Sequence, residues 1–75
     1  MFYTVYGTKS CPKCHATKRL FDAKGIAYEY VDLDNLNVSD RKCILDDAKA
    51  EGFMALPLIV DTNEKYYELK EVLGC

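Results

Sequence analysis

The sequence predicts an α/β fold: a four-stranded mixed sheet flanked by helices, in the order β-α-β-α-β-β-α. Strand-like runs rich in aromatic and β-branched residues alternate with segments of helical spacing, and only a polar turn separates the last two strands. A helix that joins two neighbouring strands requires a crossover, so the first two strands should be parallel. The tight turn makes the last two strands an antiparallel hairpin.

The first half of the chain is predicted to contain a strand over residues 2–6, a loop over 7–10 and a helix that reaches Lys24. We expect Ser10 to cap this helix. Pro12 suits the first turn because its missing N–H has no intrahelical partner there. The residues that recur at helical spacing are Ala16, Leu20 and Ala23, and also Cys14 and Phe21.

A second strand and a second helix are predicted after Gly25, which follows a lysine and forms a helix stop signal. The strand covers residues 27–31, and a polar loop covers 34–38. Ser39 is expected to cap a helix over 40–51. The inner face of this helix is expected to carry Ile44, Leu45 and Ala48.

The last third of the chain is predicted to contain the middle of the sheet. Residues 58–60 are wholly apolar, which is typical of a strand that is buried on both faces. A turn over 62–64 leads to a fourth strand over 65–67, and one or two helical turns follow. No linker is visible, so we expect a single domain over residues 1–75.

Size and composition exclude several classes of protein. The chain has 75 residues, is 49% hydrophobic and carries a formal net charge of −2, which argues against disorder. No run approaches the roughly 20 apolar residues that cross a membrane, and no secretory signal is visible. The basic cluster over 9–24 is too small to indicate nucleic-acid binding. We therefore expect a soluble, cytoplasmic monomer with no nucleic-acid or membrane partner.

The four cysteines are Cys11, Cys14, Cys43 and Cys75, and their spacing favours redox chemistry over structural disulfides. A bond between the first two closes a tiny loop and removes little entropy from the unfolded chain. The last residue of a chain tends to fray, so it is a poor partner for a stabilising bond. Cys43 stands beside apolar residues and is expected to be a small packing residue. No use is assigned to the terminal thiol.

The Cys-Pro-Lys-Cys segment lies where a strand passes into a helix. The helix N-terminus offers unpaired N–H groups and a partial positive charge, and both favour a thiolate over a thiol. The three-residue offset places the two side chains roughly 5–6 Å apart on one face, within reach of a disulfide. We therefore predict Cys11 as the exposed nucleophile and Cys14 as the resolving thiol. Lys9 and Lys13 are close enough in sequence to stabilise the thiolate.

Metal binding is the alternative of a different class, because Cys-X-X-Cys is also half of many zinc sites. Cys11, Cys14, His15 and Cys43 could supply four ligands. Adjacent Cys14 and His15 would point in different directions on a helix, however, and the sequence has no second close pair of ligands. His15 alone is expected to be an exposed helix residue. The open alternatives are a zinc- or iron–sulfur-binding module and a purely structural cysteine pair.

Pro57 stands immediately before the apolar strand and after Leu56. Because proline cannot donate to a ladder, it belongs at the start of the strand. A cis bond would turn the preceding backbone toward Cys11, and Leu56 could then offer its N–H and C=O to an extended substrate. Without further information a trans bond is the commoner state.

These features together resemble the glutaredoxin branch of the thioredoxin fold over nearly the whole chain. The run 14–19 (Cys-His-Ala-Thr-Lys-Arg) and the Glu-Gly-Phe of 51–53 that precedes Leu56-Pro57 are similar to the NrdH-redoxins, glutaredoxin-like electron donors to class Ib ribonucleotide reductase. The resemblance implies a thioredoxin-like fold, a cis Leu56-Pro57 bond and Cys11 with Cys14 as the catalytic dithiol. It further implies no bound cofactor, NADPH and thioredoxin reductase as the source of electrons, and a protein disulfide such as that of ribonucleotide reductase as substrate.

The sequence departs from both family patterns. Glutaredoxins usually have Tyr where this chain has Lys13, and a Gly-Gly pair after the fourth strand that holds glutathione. Here 66–69 reads Tyr-Tyr-Glu-Leu, where NrdH-redoxins have an aromatic-Ser-Gly-Phe turn whose aromatic residue Tyr66 could match. Lys9 resembles a lysine that contacts the glutathione carboxylate, so a glutathione-dependent glutaredoxin is the alternative with the same chemistry. The residues expected to contact the substrate or donor are Lys9, Pro12, Lys13, Leu56, Pro57 and Tyr66.

Overall fold

A computed structural model of the chain describes residues 2–74. The elements are β1 (Phe2–Gly7), α1 (Pro12–Lys24), β2 (Ala27–Asp32), a 3-10 turn (Leu33–Asn35), α2 (Val38–Ala50), β3 (Leu58–Asp61), β4 (Tyr66–Tyr67) and α3 (Leu69–Leu73). The predicted order is confirmed, with the 3-10 turn in part of the predicted polar loop. Cys75 lies outside the described residues. Between residues 2 and 74, no helix has the length and apolar character that a membrane crossing needs.

The four strands form one mixed sheet in the order β2-β1-β3-β4. β1 and β2 are parallel, whereas β3 is antiparallel to both β1 and β4. All four residues of β3 are buried, which confirms it as an interior strand. The register pairs Tyr6 with Leu58 and Gly7 with Asp32. The end of β1, the start of α1 and the residue before β3 therefore lie at the same edge of the sheet.

The N-terminal cap of α1 is Cys11, and the prediction of Ser10 was wrong. Cys11 has an extended backbone (φ −96°, ψ 105°), and its sulfur accepts the N–H of Cys14 at 3.2 Å. Ser10 is exposed in the preceding loop. Hydroxyl side chains are the usual caps, but a sulfur can accept the same N–H when the loop places it there. Gly25 ends the helix as predicted, with a left-handed backbone (φ 69°).

The buried face of α1 consists of Cys14, Thr17 and Phe21. Leu20 is 39% exposed and Ala23 is also exposed, so the stripe that contains them is not the main contact with the sheet. Thr17 can be buried because its hydroxyl donates to the carbonyl of Lys13 at 2.8 Å, one turn earlier. Because Cys14 belongs to this buried face, its side chain points toward the sheet.

The core that α1 covers is largely aromatic. Its buried cluster is Tyr3, Val5, Phe21 and Ile59. The Phe21 ring meets the rings of Tyr3 and Tyr28 edge to face, with centroids 5.9 Å and 5.5 Å apart. Such pairs add roughly 0.5–1.5 kcal/mol to the burial of their area. Packing around Phe21 therefore fixes α1, and with it the cysteine segment, on the sheet.

The second helix begins earlier than predicted and is rotated differently. Asn37 caps it by accepting the N–H of Asp40 at 2.8 Å, so the predicted cap Ser39 lies inside the helix. Ala48 is fully buried, but Leu45 is 40% exposed and was wrongly assigned to the inner face. The half-buried Ile44 lies one turn before Ala48 on the same face, and the next residue is rotated by about 100° from that face.

The hairpin between β3 and β4 is built around Asp61. Its carboxylate accepts the backbone N–H groups of Asn63 and Lys65 and the hydroxyl of Tyr67, all within 3.0 Å. The bond from Lys65, followed by that from Tyr67, lowers the pKa of this carboxyl. β4 is one residue shorter than predicted and starts at Tyr66. The hairpin completes the sheet on the side away from β2.

Candidate active site

Cys11 and Cys14 lie one helical turn apart where α1 begins, at the sheet edge where β1 ends. Cys11 is partly exposed, whereas Cys14 has no exposed surface. The N–H of Cys14 donates to the sulfur of Cys11 at 3.2 Å. The same sulfur lies at the N-terminus of α1, which carries a partial positive charge. The two predicted redox residues are thus brought together, with one cysteine partly exposed and the other enclosed.

The Cys14 sulfur lies in a confined space between Gly7 and the hydroxyl of Tyr30. A Cβ atom on Gly7 would come within 2.6 Å of the Cys14 sulfur and 2.5 Å of the Tyr30 oxygen. Both distances are too short for atoms that are not bonded to each other. Gly7 is therefore required because two other groups approach its backbone closely.

Burial raises the pKa of the Cys14 thiol to about 11, and a hydrogen bond with the Cys11 side chain acts in the same direction. Hydrogen bonds from the Thr8 backbone and the Tyr30 hydroxyl act in the opposite direction. Burial also raises the pKa of Tyr30 to about 12, and the neighbouring Cys14 is the next cause. Both Cys14 and Tyr30 are therefore protonated at neutral pH while the dithiol is reduced.

The loop between β1 and α1 is fixed by hydrogen bonds to its carbonyl groups. The Thr8 carbonyl accepts the Tyr30 hydroxyl at 2.9 Å and the N–H of Cys11 at 3.5 Å. The His15 ring donates from Nε2 to the carbonyl of Lys9 at 2.6 Å. His15 is half-buried, so the expectation of an exposed residue was wrong. Its ring folds back over the loop because that carbonyl is within its reach.

The predicted contact residues near the cysteines are exposed or lie at the same edge of the sheet. Lys9, Pro12 and Lys13 are exposed around Cys11. The Leu56-Pro57 bond is cis, as the family resemblance implied. The pairing of Tyr6 with Leu58 places this half-buried dipeptide beside the end of β1.

Tyr66 is held against the second helix rather than at the cysteine edge. Its hydroxyl donates to the carboxylate of Asp47 at 2.8 Å, and its ring stacks on Phe53 with centroids 5.7 Å apart. Burial and the bond to Asp47 raise the pKa of this phenol. Its predicted contact with a substrate or donor stays a prediction.

The ligands that a zinc site would need are not grouped. Across residues 2–74, no three His, Cys, Asp or Glu side chains lie close enough to hold a metal ion. Cys43 is exposed on α2, so its assignment as a packing residue was wrong. Ile44 takes the inward position, and the preceding residue is rotated away from it.

Two residues of the site, Gly7 and Tyr30, are not predicted from the sequence. Gly7 falls in the predicted loop over 7–10, and Tyr30 is one residue of the predicted second strand. Tyr30 pairs in register with Val5 in the parallel ladder, two residues before the end of β1. A long side chain at that position can reach the start of α1. A tyrosine near the end of the second strand of a β-α-β unit was the one available signal.

Replacing Gly7 by alanine is expected to displace Cys14 or Tyr30 and to slow disulfide reduction. The added methyl would overlap both groups, and overpacking of this kind costs about 1–3 kcal/mol. Turnover with a protein disulfide and the unfolding midpoint measure the two effects. Gly25→Ala is the control, because no atom lies within 4 Å of an added Cβ at Gly25, whereas its left-handed backbone disfavours alanine. It should lose stability and keep the turnover rate, and an unchanged rate in Gly7→Ala would contradict the expectation.

Comparison with known proteins agrees with this geometry. The family model described as Glutaredoxin matches residues 3–66. The glutaredoxin-like protein NrdH of Salmonella typhimurium is 37% identical over 60 residues, which are 80% of this chain and 68% of that protein.

Two solved structures share the fold. The NrdH-redoxin of Escherichia coli superposes with a TM-score of 0.72 at 23% identity, over 99% of this chain and 93% of that chain. The glutaredoxin of Methanosarcina mazei Go1 superposes with a TM-score of 0.76 at 22% identity, over 97% of this chain and 78% of that chain. The chain has the predicted thioredoxin-like fold and belongs to the glutaredoxin family of thiol–disulfide oxidoreductases, in which it resembles the NrdH-redoxins.

Proposed function

We propose that this chain is an NrdH-like redoxin that reduces protein disulfides, with Cys11 as nucleophile and Cys14 as resolving thiol. The observation that carries the proposal is the contrast between the two sulfurs. Cys11 is partly exposed and accepts an N–H of the helix terminus, whereas Cys14 is fully enclosed one turn later. A nucleophile must reach a partner protein, and a resolving thiol has to reach only its neighbour.

In the first step, the Cys11 thiolate attacks one sulfur of the substrate disulfide. A bond forms between Cys11 and that sulfur, the substrate disulfide breaks, and the other substrate sulfur leaves with the electron pair and takes a proton. The N–H of Cys14, 3.2 Å from the Cys11 sulfur, stabilises the attacking thiolate. Lys9 and Lys13 are exposed beside it and supply positive charge.

In the second step, Cys14 loses its proton and attacks the Cys11 sulfur. The bond between Cys11 and the substrate breaks, the Cys11–Cys14 disulfide forms, and the second substrate sulfur leaves as a thiol. Two electrons and two protons have then passed from the dithiol to the substrate. No bound cofactor is needed, because both steps are exchanges between thiols and disulfides.

A substrate strand is expected to lie along the Leu56-Pro57 segment, whose neighbour β3 pairs with β1 beside the cysteines. The N–H and C=O of Leu56 would pair with an extended peptide that carries the disulfide. Pro12 and Lys13 form the exposed surface next to Cys11. Tyr66 is the remaining proposed contact, reached by a partner that also covers α2.

The proposed electron donor is NADPH acting through a thioredoxin reductase, and the proposed substrate is a protein disulfide such as that of ribonucleotide reductase. Similarity to NrdH proteins supports both proposals. The solved Escherichia coli NrdH-redoxin is described as having a thioredoxin-like activity profile. Residues 66–69 lack the glycines of a glutathione site, which also favours a protein donor. We further propose that the protein acts as a monomer in the cytoplasm.

A comparison of two donor systems tests this assignment. With NADPH and thioredoxin reductase, we expect sustained reduction of a protein disulfide. With NADPH, glutathione and glutathione reductase, we expect a rate at least about tenfold lower, a transition-state difference of about 1.4 kcal/mol. The steady consumption of NADPH measures both rates. The Lys9→Ala variant is included, because a glutathione carboxylate held by Lys9 would make the second rate fall further. Faster turnover with glutathione would contradict the proposed donor and favour a glutathione-dependent glutaredoxin.

A further inference from the structure

The phenol of Tyr30 is a polar group beside the enclosed sulfur that the two-step reaction above does not use. We propose that Tyr30 is a positioning residue for the second step, whose hydroxyl turns from the Thr8 carbonyl to the Cys14 sulfur when that sulfur becomes a thiolate. The inference rests on the proposed roles of Cys11 and Cys14. It adds to them a specific source of stabilisation for the resolving thiolate.

The enclosure of Cys14 creates the need for such a donor. The side chain has no exposed surface, so water does not solvate the anion that must exist before attack. An unpaired buried anion is strongly disfavoured unless hydrogen bonds from the protein replace that water. The polar groups that contact the sulfur are the Thr8 backbone, the Cys11 side chain and the Tyr30 hydroxyl.

The position of the Tyr30 hydroxyl suits this role. It and the Cys14 sulfur both lie within 2.6 Å of the point that a Gly7 Cβ would occupy. It also lies 2.9 Å from the Thr8 carbonyl, to which it donates. A phenol has a single proton, so it donates to one of these two acceptors at a time. To change from one acceptor to the other, the hydroxyl proton has only to rotate about the C–O bond of the phenol.

The protonation state of Cys14 decides which acceptor the phenol selects. While Cys14 is a thiol, the carbonyl of Thr8 is the stronger acceptor, and the phenol oxygen is free to accept the S–H proton. Once Cys14 is a thiolate, the charged sulfur is the stronger acceptor, since hydrogen bonds to charged groups contribute about twice as much as neutral ones. The phenol keeps its own proton throughout, as its raised pKa of about 12 requires.

Lys18 holds the ring and strengthens the donor. Its ammonium nitrogen lies 4.3 Å from the centroid of the Tyr30 ring, a cation–π distance. A cation over the ring draws electron density from the phenol and makes the hydroxyl a better donor. The other ionisable groups near the pair are Cys11 and Asp32. Asp32 opposes ionisation of the phenol, whereas Cys11 carries no charge in the second step because its sulfur is then part of the mixed disulfide.

The step balances without any additional reactant. The proton that leaves Cys14 ends on the departing substrate sulfur, the Cys11–substrate bond breaks, and the Cys11–Cys14 bond forms. Tyr30 donates a hydrogen bond to the thiolate before attack and returns to Thr8 when the disulfide has formed. Its contribution is therefore confined to the second step.

The test separates the two steps in a single turnover. The reduced protein, with Cys43 and Cys75 replaced by serine to remove other thiols, is mixed with an aromatic disulfide that releases one coloured thiolate per exchange. The first release reports attack by Cys11 and the second reports resolution by Cys14. Tyr30→Phe keeps the ring and its contact with Lys18 but removes the hydroxyl. Tyr28→Phe is the matched control, since it removes a hydroxyl from the same strand two residues earlier.

In Tyr30→Phe we expect an unchanged first release and a second release about tenfold slower at pH 7. The pH midpoint of the second release should rise by about one unit, as expected for the loss of one charge-assisted hydrogen bond. Lys18→Met should produce a smaller change in the same direction, and it reports on the same bond if Tyr30→Phe fails to fold. Tyr28→Phe should leave both releases and their pH dependence unchanged.

An unchanged rate and pH midpoint of the second release in Tyr30→Phe would overturn the inference. Equal slowing in Tyr28→Phe would overturn it as well, because the effect would then reflect general packing. Failure of the proposed function would give a different result. The parent protein would then show no first release, or the first release would persist when Cys11 is replaced by serine.

Discussion

Replacing Cys11 by serine is expected to lower the rate of protein-disulfide reduction by roughly a thousandfold or more. The serine hydroxyl is protonated at neutral pH and cannot form a bond to sulfur that Cys14 could then attack. The fold should be retained, because serine is a good helix cap and can accept the same N–H that the Cys11 sulfur accepts. The value of kcat/KM with a protein disulfide is the measurement.

Cys43→Ser is the matched control for this substitution. It removes another accessible sulfur, on α2 rather than at the start of α1. We expect it to retain the parent rate, since Cys43 is not one of the residues at the β1–α1 junction. Substantial activity in Cys11→Ser, or its loss in Cys43→Ser, would refute the assignment of Cys11 as nucleophile.

Replacing Phe21 by alanine is expected to cause the largest loss of stability, about 3–5 kcal/mol. The Phe21 side chain has no exposed surface, and its ring contacts Tyr3 and Tyr28 edge to face. Small domains have a total free energy of unfolding of only about 5–15 kcal/mol. A Cys11–Cys14 disulfide would have to open during turnover, so packing must supply that stability. The variant should therefore be partly unfolded at moderate temperature.

Urea denaturation of Phe21→Ala and of Phe2→Ala measures this effect. Phe2 is 44% exposed at the start of β1, so its truncation removes much less buried area. We expect a markedly lower urea midpoint for Phe21→Ala and a small change for Phe2→Ala. Similar midpoints for the two variants would show that the aromatic cluster is not the main source of stability.

The order of elements and the position of the dithiol could be predicted from sequence because both depend on local patterns. Proline at the first helical position and glycine after Lys24 mark the two ends of α1. The apolar run that begins at Leu58 identifies the interior strand. A right-handed crossover then leaves few arrangements for the sheet. The Cys-X-X-Cys spacing at a helix start needs no tertiary information.

The incorrect predictions concern helix caps and buried helix positions for which two neighbouring residues were both suitable. Ser10 and Cys11 both carry a side chain that can accept a helix N–H, and the loop conformation decides between them. Ile44 and Leu45 are adjacent in the sequence, so their side chains are separated by a rotation of about 100° around the helix axis. Helical spacing in a short amphipathic segment does not define its rotation that closely.

The role of Tyr30 illustrates what only tertiary structure supplies. In the sequence it is one of several aromatic residues that favour a strand. Its contact with Cys14 depends on the register that pairs it with Val5 and on the absence of a side chain at Gly7. These features are set by residues more than 20 positions apart in the sequence. No local pattern connects them.

The most direct test of the central claim is to trap the mixed disulfide with Cys14→Ser and to map the modified residue. The variant should form a covalent adduct with an oxidised protein substrate, because attack by Cys11 continues while resolution is blocked. Peptide mass analysis is predicted to place the adduct on Cys11 alone, and reductant should release it. An adduct confined to Cys43, or no adduct under conditions in which the parent protein turns over, would contradict the claim that Cys11 and Cys14 form the working dithiol.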